Sequence, residues 1–153
     1  MKVLLDTNVV LDVLQKRDPW FEDGKEIFLA VATNQIEGFV TAKEIADIHF
    51  FIRKQFKGEE NVDRKARKII SGILSLFATV DTLGEDCQNA LGLESNDYED
   101  AIMMTSARRA GIDLIVTRNT DHFRQSPVPI CTPAECVKLL KRDQKAEDTS
   151  DQS

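Results

Sequence analysis

Short apolar runs alternate with longer stretches of helical periodicity from one end of the chain to the other. The run "KVLLD" at residues 2–6 predicts a buried strand, and "NVVLDVLQ" starts a helix directly after it. Asp18 followed by Pro19 predicts an N-cap with proline at the first helical position. The spacing of Ile27, Phe28, Val31 and Ala32 continues that second helix to about Thr33. "EGFVT" predicts a second strand, and "AKEIADIHFFIRKQFKG" a helix that Gly58 stops. In "NVDRKARKIISGILSLF", Val62, Ala66, Ile69, Ile70, Ile73 and Leu74 share one side of a further helix. "ATVDT" predicts a strand, "EDCQNALGLE" a short helix, and "DYEDAIMMTSARRAG" a helix ending at Gly111. A buried strand "IDLIVT" and an edge strand "VPICT" follow, and Thr132-Pro133 opens a last helix through about Arg142.

The strands are continuous apolar runs rather than alternating ones, which is the pattern of a parallel sheet covered on both faces. The expectation is a single α/β domain over residues 1–142, followed by a polar, disordered tail, "DQKAEDTSDQS", at 143–153. With 153 residues, 42% of them hydrophobic and 30% charged, the chain can build one ordinary globular core. No stretch approaches the roughly 20 apolar residues of a membrane span. Asp6 also breaks the first apolar run too early for a signal peptide. A cytoplasmic protein without membrane contact is expected. Cys87, Cys131 and Cys136 lack metal-ligand spacing, and their odd number argues against a disulfide framework, so they read as structural thiols. A net charge of −6 opposes broad nucleic-acid affinity but leaves room for a local basic patch.

The candidate chemistry lies in carboxylates at element junctions. In open parallel sheets, ligands bind beyond the carboxyl ends of the strands. Asp6 ends the first strand there, and Thr117, Arg118 and Asn119 end another. Asp97 and Asp100 open a helix one turn apart, Asp121 follows "LIVTRN", and Asp47 lies inside the helix after the second strand. Clustered carboxylates repel one another unless a cation neutralises them, and hard oxygen ligands select Mg²⁺ or Mn²⁺. Such ions activate water and stabilise attack on phosphate. Each acid also has a plain structural reading. Asp6 can cap the first helix with Asn8 nearby, Asp97 and Asp100 can form a capping box, Asp121 can be a turn residue, and Asp47 can be solvated. A phosphatase of the haloacid-dehalogenase type would need an aspartate two positions after Asp6, where Asn8 stands.

A helical wheel puts Ile45, Ile48, Ile52 and Phe56 on one stripe and Asp47 opposite it, with Phe50, Phe51 and Lys54. A solvated face does not normally carry two phenylalanines, so that helix is buried on two sides or meets a partner. Lys54, Lys57, Arg64, Lys65, Arg67 and Lys68 flank the third and fourth helices, and Arg108, Arg109, Arg118 and Arg124 come later. The helical set reads mainly as solvated faces, which leaves Arg118 as the choice for phosphate. His49 reads as a packed histidine and His122 as a turn residue near the site. Trp20, Phe21 and Phe123 read as core or hinge aromatics, because no basic–aromatic pattern surrounds them.

"LLDTNVVLDVL", "DYEDAIMMTSARRAGIDLIVTRNTDHF" and "VPICTPAECVKLL" resemble a PIN domain over nearly the whole chain to about residue 142, and within that family the VapC-like toxins of VapBC-type toxin–antitoxin pairs. The resemblance implies a three-layer α/β/α sandwich with a central parallel sheet and a Mg²⁺- or Mn²⁺-dependent endoribonuclease. It assigns Asp6, Asp47 and Asp100 as catalytic, metal-holding acids, with Glu44, one turn earlier, as the alternative to Asp47. Asp97 is an auxiliary acid. Asn119 stands where many relatives carry aspartate, which leaves one or two metals open, with Asp121 close enough to compensate. Thr7, Asn8 and Arg118 are expected at phosphate or RNA. RNA as substrate, an antitoxin and self-association as a dimer are the implied partners, with Phe50 and Phe51 the candidate contact. The rival reading is a catalytically impaired PIN fold that binds RNA or a partner.

Overall fold

The computed structural model describes residues 1–150. The chain runs β1 (Lys2–Leu5), α1 (Thr7–Leu14), α2 (Phe21–Ala32), β2 (Glu37–Thr41), α3 (Ala42–Gln55), α4 (Val62–Leu76), β3 (Ala78–Val80) and α5 (Gly84–Ala90). It continues through α6 (Tyr98–Arg109), β4 (Leu114–Val116), a short 3₁₀ helix (Thr120–Phe123), β5 (Ile130–Cys131) and α7 (Pro133–Ser150). Among the described residues the five strands form one all-parallel sheet in the order β3-β2-β1-β4-β5.

Successive residues of the central strands enter opposite cores. Val3 and Leu5 of β1 and Leu114 and Val116 of β4 pack with α1–α4 and α7, whereas Leu4 and Ile115 pack with Met103, Met104 and Ala107 of α6. Burial on both faces is why these strands read as unbroken apolar runs. The result is the expected three-layer α/β/α sandwich. Gly38 allows a close approach: a Cβ there would lie 2.6 Å from Val31 Cγ2 and 2.7 Å from the Phe77 ring. Gly111, at φ +70, makes the left-handed turn from α6 towards β4.

Several boundaries differ from expectation, among them α5, which ends at Ala90 rather than Glu94, and α3, which ends at Gln55 ahead of Gly58. The second helix begins at Phe21 rather than Pro19, because the amides of Trp20 and Phe21 donate to the Arg17 carbonyl at 3.1 and 2.9 Å and close a turn first. The last helix does not stop at Arg142. Residues 143–150, expected to be disordered, continue α7, and Gln144 donates to Gln35 Oε1 at 3.1 Å. The docked first turns supply the helix nucleus, and the following residues, without Gly or Pro, propagate it. Residues 151–153 of the expected tail lie outside the described residues. Among the described residues no helix is long and apolar enough to cross a membrane.

The chain places β2 on one side of β1 and returns with β4 on the other. Such a reversal opens a crevice beyond the carboxyl ends of β1 and β4, and Asp6 and Thr117 lie there.

Candidate active site

Asp6 continues the ladder with its backbone, donating to the Val116 carbonyl at 2.9 Å, and turns its carboxylate into the crevice. It occupies the N-cap position of α1, yet its side chain makes no capping bond. The buried Thr117 hydroxyl donates to its Oδ2 at 2.8 Å instead. Burial raises its pKa above the usual aspartate range, the Thr117 bond works against that, and repulsion from Asp100 adds to it.

Glu44 arrives from the first turn of α3, where "TAKE" folds as a capping box. The Glu44 amide donates to Thr41 Oγ1 at 3.1 Å, and the Thr41 amide donates back to Glu44 Oε2 at 2.7 Å. Thr7 Oγ1 donates to Glu44 Oε1 at 3.1 Å, which ties the second acid to the residue after Asp6. Burial first, and then the Asp6 charge, push the Glu44 carboxyl up to about 8 despite the Thr41 and Thr7 bonds.

Asp100 comes from the first turn of α6. Its Oδ2 lies 2.8 Å from His122 Nδ1. Burial raises its pKa, the His122 bond opposes this, and the charges of Asp97 and Glu99 add to the rise. Asp97 caps α6, accepting from the Glu99 amide at 2.9 Å, and still lines the cleft. One potential ligand atom each from Asp97, Asp100 and His122 lies within 4.8 Å of the others.

These side chains line one cleft of about 420 Å³, together with Thr7, Asn8, Asp47, Phe50 and Asn119. Among the described residues no lysine, arginine or histidine nitrogen lies within 4 Å of the carboxylates of Asp6 or Glu44. Lys43, at the mouth, is committed to Asp47 at 2.8 Å and Glu99 at 3.1 Å. Buried carboxylates that repel one another without a counter-charge are the surroundings a hard divalent cation fits. The thiols of Cys131 and Cys136 lie away from the cleft, buried in the core that α7 covers.

The remaining expected residues divide. Asn8 and Asn119 line the cleft, and the Asn119 amide donates to Thr117 Oγ1 at 3.0 Å. Asp47 sits at the rim, paired with Lys43. Asp121 is exposed, held by Arg124 at 2.8 Å, and lies outside the cleft lining. Arg118 is not directed at the cleft. Its Nη2 donates to the buried Asp12 at 3.3 Å, its Nε lies 2.8 Å from Asp12 Oδ2 but out of line for a hydrogen bond, and the guanidinium lies 3.9 Å from the Trp20 ring centre. Trp20, read as a core or hinge aromatic, is 40% exposed beside it. His49 lies 3.3 Å from Asp63 between α3 and α4. The sequence reading missed His122 as a partner of Asp100 and missed Asp12 altogether. An acid inside the apolar stretch "VLDVL" was the available signal for Asp12.

A family profile described as PIN domain matches residues 2–121. No curated protein matches the chain. Several solved structures are similar in fold. One is VapBC2 from Rickettsia felis bound to a promoter DNA fragment, with TM-score 0.59, 15% identity, and 86% of this chain and 98% of that chain covered. A toxin–antitoxin complex from Klebsiella pneumoniae gives 0.61, 19%, 86% and 97%. FitAcB from Neisseria gonorrhoeae gives 0.65, 17%, 86% and 97%. Identities this low establish likeness of fold alone.

Proposed function

The chain belongs to the PIN-domain family, and from that premise we propose that it is a Mg²⁺- or Mn²⁺-dependent endoribonuclease, the toxin of a toxin–antitoxin pair. The observation that carries this reading is the buried carboxylates of Asp6 and Glu44, gathered with the half-buried Asp100 at the crevice without a cationic partner for the first two. These three would hold the metal, with Asp97 and His122 beside Asp100. Glu44 takes the role first assigned to Asp47, because Glu44 is tied to the Asp6 junction and Asp47 to Lys43. A divalent ion in such a site supplies Lewis-acid activation of water and neutralises charge on the phosphodiester.

The chain's own side chains set up the reaction. Thr117 fixes the rotamer of Asp6, Thr41 and Thr7 fix Glu44, and His122 fixes Asp100. The cleft-lining amides of Asn8 and Asn119 offer uncharged donors to phosphate oxygens without competing for a cation. Arg118 has no such role in this reading, since Asp12 and Trp20 hold it. RNA is the substrate implied by the resemblance, with the cytoplasm as its location. The similar structures named as toxin–antitoxin complexes support a protein antitoxin as partner, and self-association as a dimer belongs to the same reading.

Asn119, at the cleft in place of a fourth carboxylate, favours the second reading of a binding module. One experiment separates the two: incubation of a mixed pool of structured and single-stranded RNAs with Mg²⁺, Mn²⁺ or EDTA, comparing wild type and Asp6→Asn. Metal-dependent cleavage abolished by Asp6→Asn is the expected result. Calorimetric metal binding without cleavage would favour the binding module, and equal cutting by both proteins would overturn the site assignment.

A further inference from the structure

Phe50 borders two depressions at once. On one side it lines the acidic cleft, and on the other it lines a groove of about 500 Å³ with His49, Arg53, Lys54, Lys57 and Gly58. We propose that a single RNA strand leaves the cleft across Phe50 and follows this groove, one base stacking on the Phe50 ring and successive phosphates meeting Arg53, Lys54 and Lys57. The proposal rests on the nuclease reading of the cleft.

The charge distribution supports it. In a chain of net charge −6, none of these three cations has a carboxylate oxygen within 4 Å among the described residues, whereas neighbouring Lys65 and Arg67 are paired with Glu59 and Asp63. His49 is likewise occupied by Asp63. A cleft built of carboxylates repels a polyanion, so a nuclease with this cleft needs its phosphate attraction beside the cleft rather than in it. Arg118 cannot supply it, being held by Asp12.

Helical spacing makes the path continuous. Glu44, Asp47, Phe50, Lys54 and Lys57 follow one another at steps of three or four residues, down one side of α3 and past its end. From Glu44 to Lys54 the helix rises about 15 Å, the reach of a few nucleotides. The ring itself is 62% exposed, and Phe51 braces it edge-on at 5.5 Å and 78°. An exposed, braced aromatic face stacks an unpaired base and is closed to a base inside a duplex, hence the single strand.

The test uses the full chain carrying Asp6→Asn, so that the probe survives. Fluorescence anisotropy follows a labelled mixed-sequence RNA of about 12 nucleotides over a salt series. In that background, Arg53→Ala/Lys54→Ala/Lys57→Ala should weaken binding by about tenfold or more and lower the log–log salt slope by about 2, at roughly 0.7 per phosphate contact. Phe50→Ala should weaken binding by roughly fivefold or more and leave the salt slope unchanged, because stacking releases no counterions. Lys138→Ala/Lys141→Ala/Arg142→Ala removes the same charge from exposed positions of α7 and should change neither quantity. Every side chain substituted in that background is exposed, and matching melting curves check the folds. Parental affinity and slope in the groove variants would overturn the track. So would an equal loss in the α7 control, which would make the attraction one of net charge. Unchanged RNA binding with dissociation of a dimer would make the groove a protein contact and also overturn it. Cleavage assays without Asp6→Asn separate the two readings. Groove-dependent binding without cleavage sinks the nuclease and keeps the track, and cleavage with no groove dependence does the reverse.

Discussion

Asp86 and Glu44 are equally buried, each 1% exposed, yet their surroundings move their carboxyls in opposite directions. Burial alone favours the neutral acid at both. At Asp86 burial is the largest single influence, but Arg109, with its Nε and Nη2 both 2.9 Å from the carboxylate, outweighs it together with the Leu83 amide and the Ser106 hydroxyl. That carboxyl is held below the usual aspartate range. Arg109 also donates to the Asp81 carbonyl, so one ion pair joins α5, α6 and the end of β3. Glu44 receives only an amide and a hydroxyl, and faces the Asp6 charge. Asp86 is a finished joint. Glu44 and Asp6 have contacts that fix their orientation and no cation in contact with them, and on the metal-site proposal that difference separates a structural buried acid from one kept for a ligand.

The largest expected effect tests that distinction in catalysis. Asp6→Asn and Glu44→Gln keep side-chain shape and remove a metal-binding charge. Losing roughly 4 kcal/mol of transition-state stabilisation corresponds to about a thousandfold in rate, so cleavage of the RNA pool should fall by that order in either variant. Asp86→Asn should retain wild-type kcat per folded molecule at temperatures where it remains folded. If Asp86→Asn and Glu44→Gln lose activity alike, the two acids do not differ in kind.

Stability should show the reverse ranking. Asp86→Asn leaves Arg109 facing a neutral group, and breaking a buried pair from one side costs about 3 kcal/mol or more. Differential scanning calorimetry on the metal-free proteins should register that as a fall of roughly 10 °C for a chain of this size. Below about pH 8 the metal-free site favours the protonated Glu44, which Glu44→Gln resembles, so the melting temperature of the variant should match or exceed wild type in EDTA. A large loss in Glu44→Gln would mean that the carboxylate has a structural partner.

The pH dependence follows with a definite sign. The Glu44 carboxyl rises from its ordinary 4.5 to about 8 on folding, so the folded chain binds this proton more tightly than the unfolded chain. Its contribution is fully present below pH 4.5 and is lost as pH climbs towards about 8. Metal-free wild type should therefore lose stability across that window relative to Glu44→Gln. A divalent cation must displace the same proton, so Mn²⁺ or Mg²⁺ should raise the melting temperature more at pH 8 than at pH 6. Saturation at a hundred times Kd would contribute about 2.7 kcal/mol. A metal-induced shift that is independent of pH would remove Glu44 from the ligand set.

The legible parts of this molecule are those fixed locally. Apolar runs buried on both faces announced β1 and β4, and the element junctions announced the cleft positions of Asp6 and Asp100. Contacts made between distant segments were not legible. His122 meets Asp100 from 22 positions away, and Arg118 meets Asp12 from 106 away, so neither partner marks the other in the sequence. Asp121 looked serviceable from its neighbourhood, but Arg124 three positions later draws it outward. Pro19 has the signature of a first helical residue, and the turn onto Arg17 displaced that start by two positions. Glu44 is the instructive case. The pattern Thr41-Ala42-Lys43-Glu44 was readable as a capping box, and a capping role looks sufficient to explain a glutamate. Only burial against Asp6 shows that the cap also aims it.

Asp47 carries the smallest expected effect and settles which acid of α3 belongs to the site. It lines the same cleft as Glu44 but is 37% exposed and bonded to Lys43 four positions earlier. An exposed pair at that spacing contributes only about 0.3–0.5 kcal/mol, so Asp47→Asn should leave the melting temperature within a degree or two. Its charge at the mouth screens Lys43 rather than facing Asp6, and removing it leaves Lys43 to Glu99 alone and more attractive to phosphate. Cleavage by Asp47→Asn should therefore stay within about tenfold of wild type, with any change in KM rather than kcat, because binding before chemistry is what a rim charge alters. A kcat loss comparable to that of Glu44→Gln would return the second acid to Asp47 and leave Glu44 as a cap alone.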